Sequence, residues 1–323
     1  MRVEAHLSGN LPRGDSVFRV LRRHSRGKAG WEEVRAAAEA ETAEWVRLQA
    51  ELGLRPVTDP MLLWHDHFRP FAENVKGMAV DGLRRWYDNN LFYRAPVVFG
   101  RLGLGDPFLE RYLFPVALRG LEVKLVIPEP LTFARLSVNS GYTDHAELAM
   151  DLAEVTSAEA SRLVSRHGLS VSLVQLSAPE LARELRADDL ELVREEVGLF
   201  KRRLGCKVQL HTFFFSAARS LRSLLDTGVD VIGIDLHATP ASALKGVDVD
   251  RELAVGVVDS RSVVVEEPGW MASLAERAVE ATGARAVHVT TNTDLDFLPA
   301  GVAREKVRAL SACARLLRER WGT

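Results

Sequence analysis

Hydrophobic residues in this chain gather into eight short runs, most of them separated by stretches with helical spacing. They lie at 2–7 (RVEAHL), 55–58 (RPVT), 123–128 (VKLVIP), 170–176 (SVSLVQL), 207–214 (KVQLHTFF), 230–236 (DVIGIDL), 252–258 (ELAVGVV) and 285–291 (RAVHVTT). The last six are rich in Val, Ile and Leu and lack the strict alternation of a strand with one wet face. Such runs suit strands covered on both sides, hence a parallel sheet. Eight of them, with connections long enough for crossover helices, predict an α/β fold closed as a (β/α)8 TIM barrel. In that architecture chemistry belongs at the carboxyl ends of the strands.

The helices are read from the intervals. Residues 30–52 carry Val34, Ala37, Ala38, Trp45, Leu48 and Leu52 on one face, interrupted only by Glu41, and Gly53 supplies the stop. A second helix is expected over 147–167 before Gly168, and a third over 177–204, with Pro179 early in it. Shorter crossovers follow at 216–227, 238–245, 269–282 and 299–320. The interval 59–122 is too long for one crossover. It holds the aromatic segment RRWYDNNLFYRAP at 84–96, expected to form a cap or ribbon over the barrel mouth, with Asn89-Asn90 as its turn. The whole chain, 1–323, therefore reads as a single barrel with an insert at about 59–122.

Composition narrows the function classes. The 323 residues are 47% hydrophobic and 27% charged with a formal net charge of −2, which gives no general argument for nucleic acid or an anionic membrane as partner. No apolar stretch approaches the roughly 20 residues of a membrane span. The amino terminus lacks the apolar core of a signal peptide, so a cytoplasmic protein is expected. Cys206 and Cys313 are the only cysteines, too few for a disulfide framework or a thiolate-rich zinc site.

Strand ends supply the candidate catalytic residues: His211 at the fifth, Asp235 and His237 at the sixth, Asp259 after the seventh, and Asn292-Thr293-Asp294 after the eighth. Asp235 and Asp259 could equally cap adjacent helices. His65, Asp66 and His67 invite a metal reading, since HxH on a strand puts both rings on one face. No third or fourth ligand stands at a diagnostic spacing, and a hydrogen-bonded role is favoured. Arg13, Arg19, Arg22 and Arg23 follow the first strand, and Arg84 and Arg85 open the aromatic segment. If the two segments meet, their guanidinium forks could bind a polycarboxylate; otherwise they are a solvated face.

Several of these segments together resemble the cobalamin-independent methionine synthase family, specifically its amino-terminal barrel. Gly9 to Arg13 resembles the opening glycine–phenylalanine–proline–arginine motif. Arg85-Trp86-Tyr87-Asp88-Asn89-Asn90-Leu91-Phe92-Tyr93, followed by Pro96, is similar to the lysine–WFDTNYHY–proline segment. Pro130 to Phe133 resembles GPVTF, Val174 to Pro179 resembles IQIDEP, Thr212 to Ser216 resembles TYFGS, and Leu253 to Arg261 resembles LSLGVVDGRN. The order is the family's along nearly the whole chain.

The resemblance implies a folate polyglutamate donor, contacted by basic residues that align with Arg19, Arg22 and Arg85. It also implies zinc, held in the catalytic barrel by His and Cys after the fifth strand, an acidic residue after the sixth and Cys after the eighth. Here the fifth-strand segment ends in Phe213-Phe214-Phe215, the eighth continues Thr-Asn-Thr-Asp, and Ser177 and Ala178 replace the acidic pair of IQIDEP. The expectation is a noncatalytic subunit with no cofactor of its own, paired with a separate zinc-bearing catalytic barrel in methyl transfer to homocysteine. The alternatives are an independent barrel enzyme using the strand-end Asp and His residues, or a binding protein for a methyl carrier or corrinoid partner.

Overall fold

The computed structural model describes residues 1–87, 89 and 91–322. In chain order the elements begin β1 (Arg2–Ala5), α1 (Asp15–His24), α2 (Trp31–Glu51), β2 (Val57–Thr58) and α3 (Arg69–Ala72). Then come β3 (Lys76–Arg85), β4 (Phe92–Gly103), β5 (Glu122–Pro128), α4 (Pro130–Leu136), β6 (Val138–Asn139) and α5 (His145–His167). The remainder is β7 (Ser170–Ser177), α6 (Pro179–Arg183), α7 (Ala187–Leu204), β8 (Lys207–Thr212), α8 (Leu221–Leu225), β9 (Val231–Asp235), β10 (Glu252–Val258), α9 (Pro268–Thr282), β11 (Ala286–Thr291) and α10 (Ala300–Trp321).

Eight strands form one parallel sheet in the order β1-β11-β10-β9-β8-β7-β5-β2. Its two edges meet where the Arg55 amide donates to the Ala5 carbonyl at 2.8 Å, next to β2. All eight strands coincide with the eight apolar runs, and the fold is a TIM barrel. The long interval after β2 adds the antiparallel ribbon β3–β4, with β6 joined to β4. In the aromatic motif, Asp88 and Asn90, and with Asn90 half of the expected Asn89-Asn90 turn, lie outside the described residues.

Strand parity explains the composition of the runs. Val123, Leu125 and Ile127 of β5, Leu253, Val255 and Val257 of β10, and Val287 and Val289 of β11 are buried in the main apolar core with the helices. On the helix side, Val34, Ala38 and Trp45 of α2 are fully buried, each contributing on the order of 1.5–3 kcal/mol for the larger side chains. The opposite parity points into the barrel and is largely polar: His6, Lys124, Gln175, Gln209, His211 and His288, all buried. Leu173, Val231 and Ala254 form a small separate apolar cluster.

Helix boundaries follow local capping. The helix at 30–52 is α2, and Glu33 accepts from the Gly30 amide at 3.1 Å at its start. Asp144 caps α5 by accepting from Glu147 N–H at 2.8 Å, and the helix runs to Gly168. Three expectations are corrected. The helix expected over 177–204 is broken into α6 and α7, because the Asp189 carboxylate accepts from the Arg186 amide at 2.6 Å and starts a new helix there. The crossover expected at 216–227 is a single turn at Ala217–Arg219 followed by the five-residue α8. That at 238–245 shrinks to one turn, Ala241–Leu244, between Pro240 and Gly246.

The packing between β10 and the end of β11 is tight enough to exclude any side chain at Gly256, where a Cβ would lie 2.4 Å from the Asn292 Cα. Gly256→Ala is expected to destabilise the protein by about 1–3 kcal/mol in urea unfolding. Gly82→Ala, with open space around it on the ribbon, should stay within about 0.5 kcal/mol of the parent.

Candidate functional site

At the barrel mouth the polar strand ends fall into two groups. On the β9–β10 side, Asp235 Oδ1 accepts from the His237 and Ala238 amides at 2.8 and 3.2 Å. Its Oδ2 is buried without a hydrogen-bond partner, 4.0 Å from the Arg261 guanidinium. His237 donates through Nε2 to the Val257 carbonyl at 3.1 Å and packs against Trp270. Asp259 accepts from the Arg261 amide at 3.0 Å and from its Nε at 3.3 Å. Burial pushes the Asp259 carboxyl up, but these bonds and the neighbouring His237 and Arg261 charges outweigh it, leaving the group below its ordinary range. Asp235, His237 and Asp259 therefore share one rim, where the Asp235 carboxylate also caps the following turn.

His211 lies deeper. Its Nε2 donates to the Asn292 carbonyl at 2.8 Å, and its Nδ1 accepts from Gln209 at 3.2 Å. Burial, with Lys124 nearby, lowers its pKa to about 3, so the ring is neutral with both nitrogens engaged. Asn292 connects it to the rim: its side chain accepts from the Ser260 amide at 3.0 Å and donates to Asp259 at 3.4 Å.

The second group joins the amino-terminal segment to the last strand. Asp294 accepts from the Asn10 amide at 2.9 Å and from His67 Nε2 at 2.5 Å. A Cβ on Gly9 would fall 1.9 Å from Asp294 Oδ1, so only glycine admits this carboxylate. Burial lowers the pKa of His67, but the Asp294 charge and bond prevail and raise it. The residues 65–67 are not a strand, which corrects the expectation that both rings share a face. His65 is exposed, His67 is buried, and Asp66 accepts from the Phe68, Arg69 and Arg94 amides, tying this segment to the ribbon. Among the described residues no three His, Cys, Asp or Glu side chains converge to hold a metal.

Above these groups the mouth is filled with aromatic rings. Trp86 packs against His67, Phe68 and Phe214, and Tyr87 against Phe215 at 4.8 Å. The ribbon thus crosses the mouth beside the amino-terminal segment. The donor set does not fit the zinc of the catalytic barrel: phenylalanines stand at the end of β8, Cys206 precedes that strand, and Cys313 is buried in α10. Burial pushes the two thiols up to about 11 and about 12, away from the thiolate that zinc requires.

The arginines do not converge on one another through any bond among the described residues. Arg13 is spent on the backbone, donating from Nε to the Leu62 carbonyl at 2.6 Å and from its terminus to that of Trp64. Arg19 folds back to the Asp15 carbonyl at 3.2 Å, Arg22 is exposed on α1, and Arg85 lies over the Phe92 ring at 5.8 Å. Sequence reading missed the Asp294–His67–Gly9 junction, although each member stood in a segment that had drawn attention.

The fold is thus a parallel barrel with an antiparallel ribbon beside its mouth. The chain belongs to the family of cobalamin-independent synthase N-terminal domains, whose model matches residues 73–282. It is similar to the methionine synthase of Sulfurisphaera tokodaii, 25% identical over 316 residues, covering 96% of this chain and 91% of that one. The 5-methyltetrahydropteroyltriglutamate--homocysteine methyltransferase of Corynebacterium efficiens is 27% identical over 247 residues, 74% of this chain but 31% of that one. In fold it is similar to a B12-independent methionine synthase from Shewanella sp. W3-18-1 solved with selenomethionine, at TM-score 0.77 and 18% identity over 98% of both chains. No helix among the described residues is long and apolar enough to cross a membrane.

The neutral His211 sets a pH dependence. Its folded pKa of about 3 lies below the ordinary 6.5, so the unfolded chain binds the extra proton between these values. Its contribution is fully favourable above about pH 6.5 and is lost as pH falls toward about 3, at up to ~1.4 kcal/mol per pH unit. His211→Gln should remove that part of the slope when urea unfolding is compared at pH 7 and pH 5; an unchanged slope would mean that His211 is not held neutral.

Proposed function

We propose that this chain is the noncatalytic barrel of a two-chain methionine synthase, working beside a separate zinc-bearing catalytic barrel and helping to position a folate-type methyl donor for transfer to homocysteine. The observation that carries this reading is the mouth itself: aromatic rings occupy it where metal donors would be needed, and both thiols lie elsewhere. The names of the similar proteins, methionine synthase and 5-methyltetrahydropteroyltriglutamate--homocysteine methyltransferase, supply the reaction. The test is purification from native cells followed by reconstitution. A zinc-bearing barrel should co-purify, and its methyl transfer to homocysteine should rise when this chain is added; equal rates with and without it would sink the proposal.

Within this reading, the exposed Arg19, Arg22 and Arg85 are the side chains that would turn to a polyglutamate tail, whereas Arg13 is already committed to Leu62 and Trp64. Arg85→Ala is expected to weaken binding of a tail-bearing donor to the two-chain complex by about 10- to 100-fold. A tailless donor should bind equally well to both. Titration calorimetry giving the same affinity for tailed and tailless donors would leave the arginines a solvated face.

A second reading, an independent barrel enzyme, is favoured by one feature: the buried Asp235 Oδ2 without a hydrogen-bond partner, on the same rim as His237 and Asp259. It requires turnover by the isolated chain that Asp235→Asn abolishes.

A further inference from the structure

The inside of the barrel holds a feature that the methyl-transfer reading does not use. Lys124 on β5 is fully buried, and its Nζ lies 3.0 Å from His6 Nδ1 and 2.8 Å from the Leu7 carbonyl. His6 Nε2 is 3.1 Å from His288 Nδ1, and His288 Nε2 is 2.9 Å from Glu252 Oε2. Since β2 separates β1 from β5 in the sheet, the Lys124–His6 contact crosses the barrel interior rather than running along a strand pair.

The direction of every bond in this series follows from its far end. Burial pushes the Glu252 carboxyl up, but His288 and Lys207 outweigh it and hold it at about 2, so it is ionised and accepts only. His288 must then donate from Nε2, which leaves its Nδ1 to accept from His6 Nε2–H. That leaves His6 Nδ1 to accept from the Lys124 amine. One tautomer of each imidazole satisfies all three bonds, with every N–H pointing toward Glu252.

We propose that Lys124, His6, His288 and Glu252 form a proton relay through the barrel, by which the buried amine exchanges its proton with solvent at the barrel floor. The transfer is balanced. An N–H bond of the Lys124 ammonium breaks as one forms at His6 Nδ1; the His6 Nε2 proton passes to His288 Nδ1, and the His288 Nε2 proton passes to Glu252 Oε2, which releases it to water. The reverse sequence restores the amine proton and both tautomers, so reversible titration requires no ring to flip.

The two ends of the relay differ in access. Glu252 is 20% exposed, with half-exposed Lys207 and Arg2 bonded to its other oxygen, and it borders an open floor depression of about 470 Å³. At the opposite end Phe213 and Trp86 are buried within the aromatic cluster. The groups that set the charge on Lys124 come from several elements. The Lys124 charge in turn lowers the pKa of His6, just after β1, and of His211 on β8, while His288 on β11 acts on His6. Asp294 beyond β11 favours the lysine charge, Asp59 after β2 shares a small void with Lys124, and Glu4 lies 3.8 Å from His288. Burial lowers the lysine well below its ordinary pKa, and among the described residues no carboxylate is bonded to it to pin the proton.

The test is nuclear magnetic resonance of the full-length protein carrying labelled lysine, with the Lys124 signal identified by its loss in Lys124→Met. Solvent exchange of the Lys124 amine is compared in the parent, Glu252→Gln and His288→Phe. Gln keeps an acceptor but cannot take up the proton, so exchange should slow by roughly 100-fold, the low end of what a positioned proton acceptor contributes. His65→Gln, outside the relay, should exchange at the parent rate. Parent-like exchange in Glu252→Gln overturns the proposal, as does a rate that responds to Phe214→Ala at the mouth and not to Glu252→Gln. Should His288→Phe fail to fold, Glu252→Gln alone decides.

Discussion

The structure depends on pairing the polar side chains that its strands turn into the barrel. A buried donor or acceptor left alone costs about 1–3 kcal/mol, so an interior holding Lys124, Gln175, Gln209 and three histidines needs partners for most of these groups. The contacts that do so run across the barrel: Lys124 to the Leu7 carbonyl, Gln175 to the Ser8 carbonyl, His211 to the Asn292 carbonyl. Each joins strands that are not neighbours in the sheet. The polar interior therefore acts as a set of cross-braces, and it fixes the strand ends that form the mouth.

This bracing also decides what the mouth can offer. His211 stands where a barrel enzyme could present a catalytic imidazole, yet both nitrogens serve the interior network. The aromatic ribbon then covers the polar layer, with Trp86 resting on the His67 ring that Asp294 holds. What remains at the rim is Asp235, His237 and Asp259.

Much of this architecture was legible in the residues, and the reasons are local. Outward-facing Val, Ile and Leu mark parallel strands regardless of what lies inside, so the last six strands stood out, and the first two were placed by their short apolar runs. The end of α5 was readable because Gly168 follows it in left-handed conformation, and α2 because its apolar stripe is long. The break between α6 and α7 was hidden because 177–204 has continuous helical propensity; it is made by the Asp189 bond to the Arg186 amide and by Arg135, distant in sequence, donating to the Glu184 carbonyl at 2.8 Å. The cross-barrel pairs were out of reach altogether. His67 and Asp294 are 227 residues apart, Lys124 and His6 118, and no periodicity in one segment reports a partner in another.

The amino-terminal motif gives the sharpest lesson about reading chemistry from resemblance. Gly9 to Arg13 resembles the family's opening motif, and its arginine reads with Arg19, Arg22 and Arg23 as a candidate anion-binding cluster. In the folded chain Gly9 is glycine so that the Asp294 carboxylate can approach, and Arg13 uses its fork on the Leu62 and Trp64 carbonyls. Both hold the amino-terminal segment against the barrel and the start of the insert. A motif can therefore persist in a domain for the contacts that shape the mouth, whatever becomes of the ligand. Arg19, Arg22 and Arg85 differ physically: they are exposed, and no such junction collapses without them. Their guanidinium groups are therefore the ones whose substitution tests binding without disturbing the architecture.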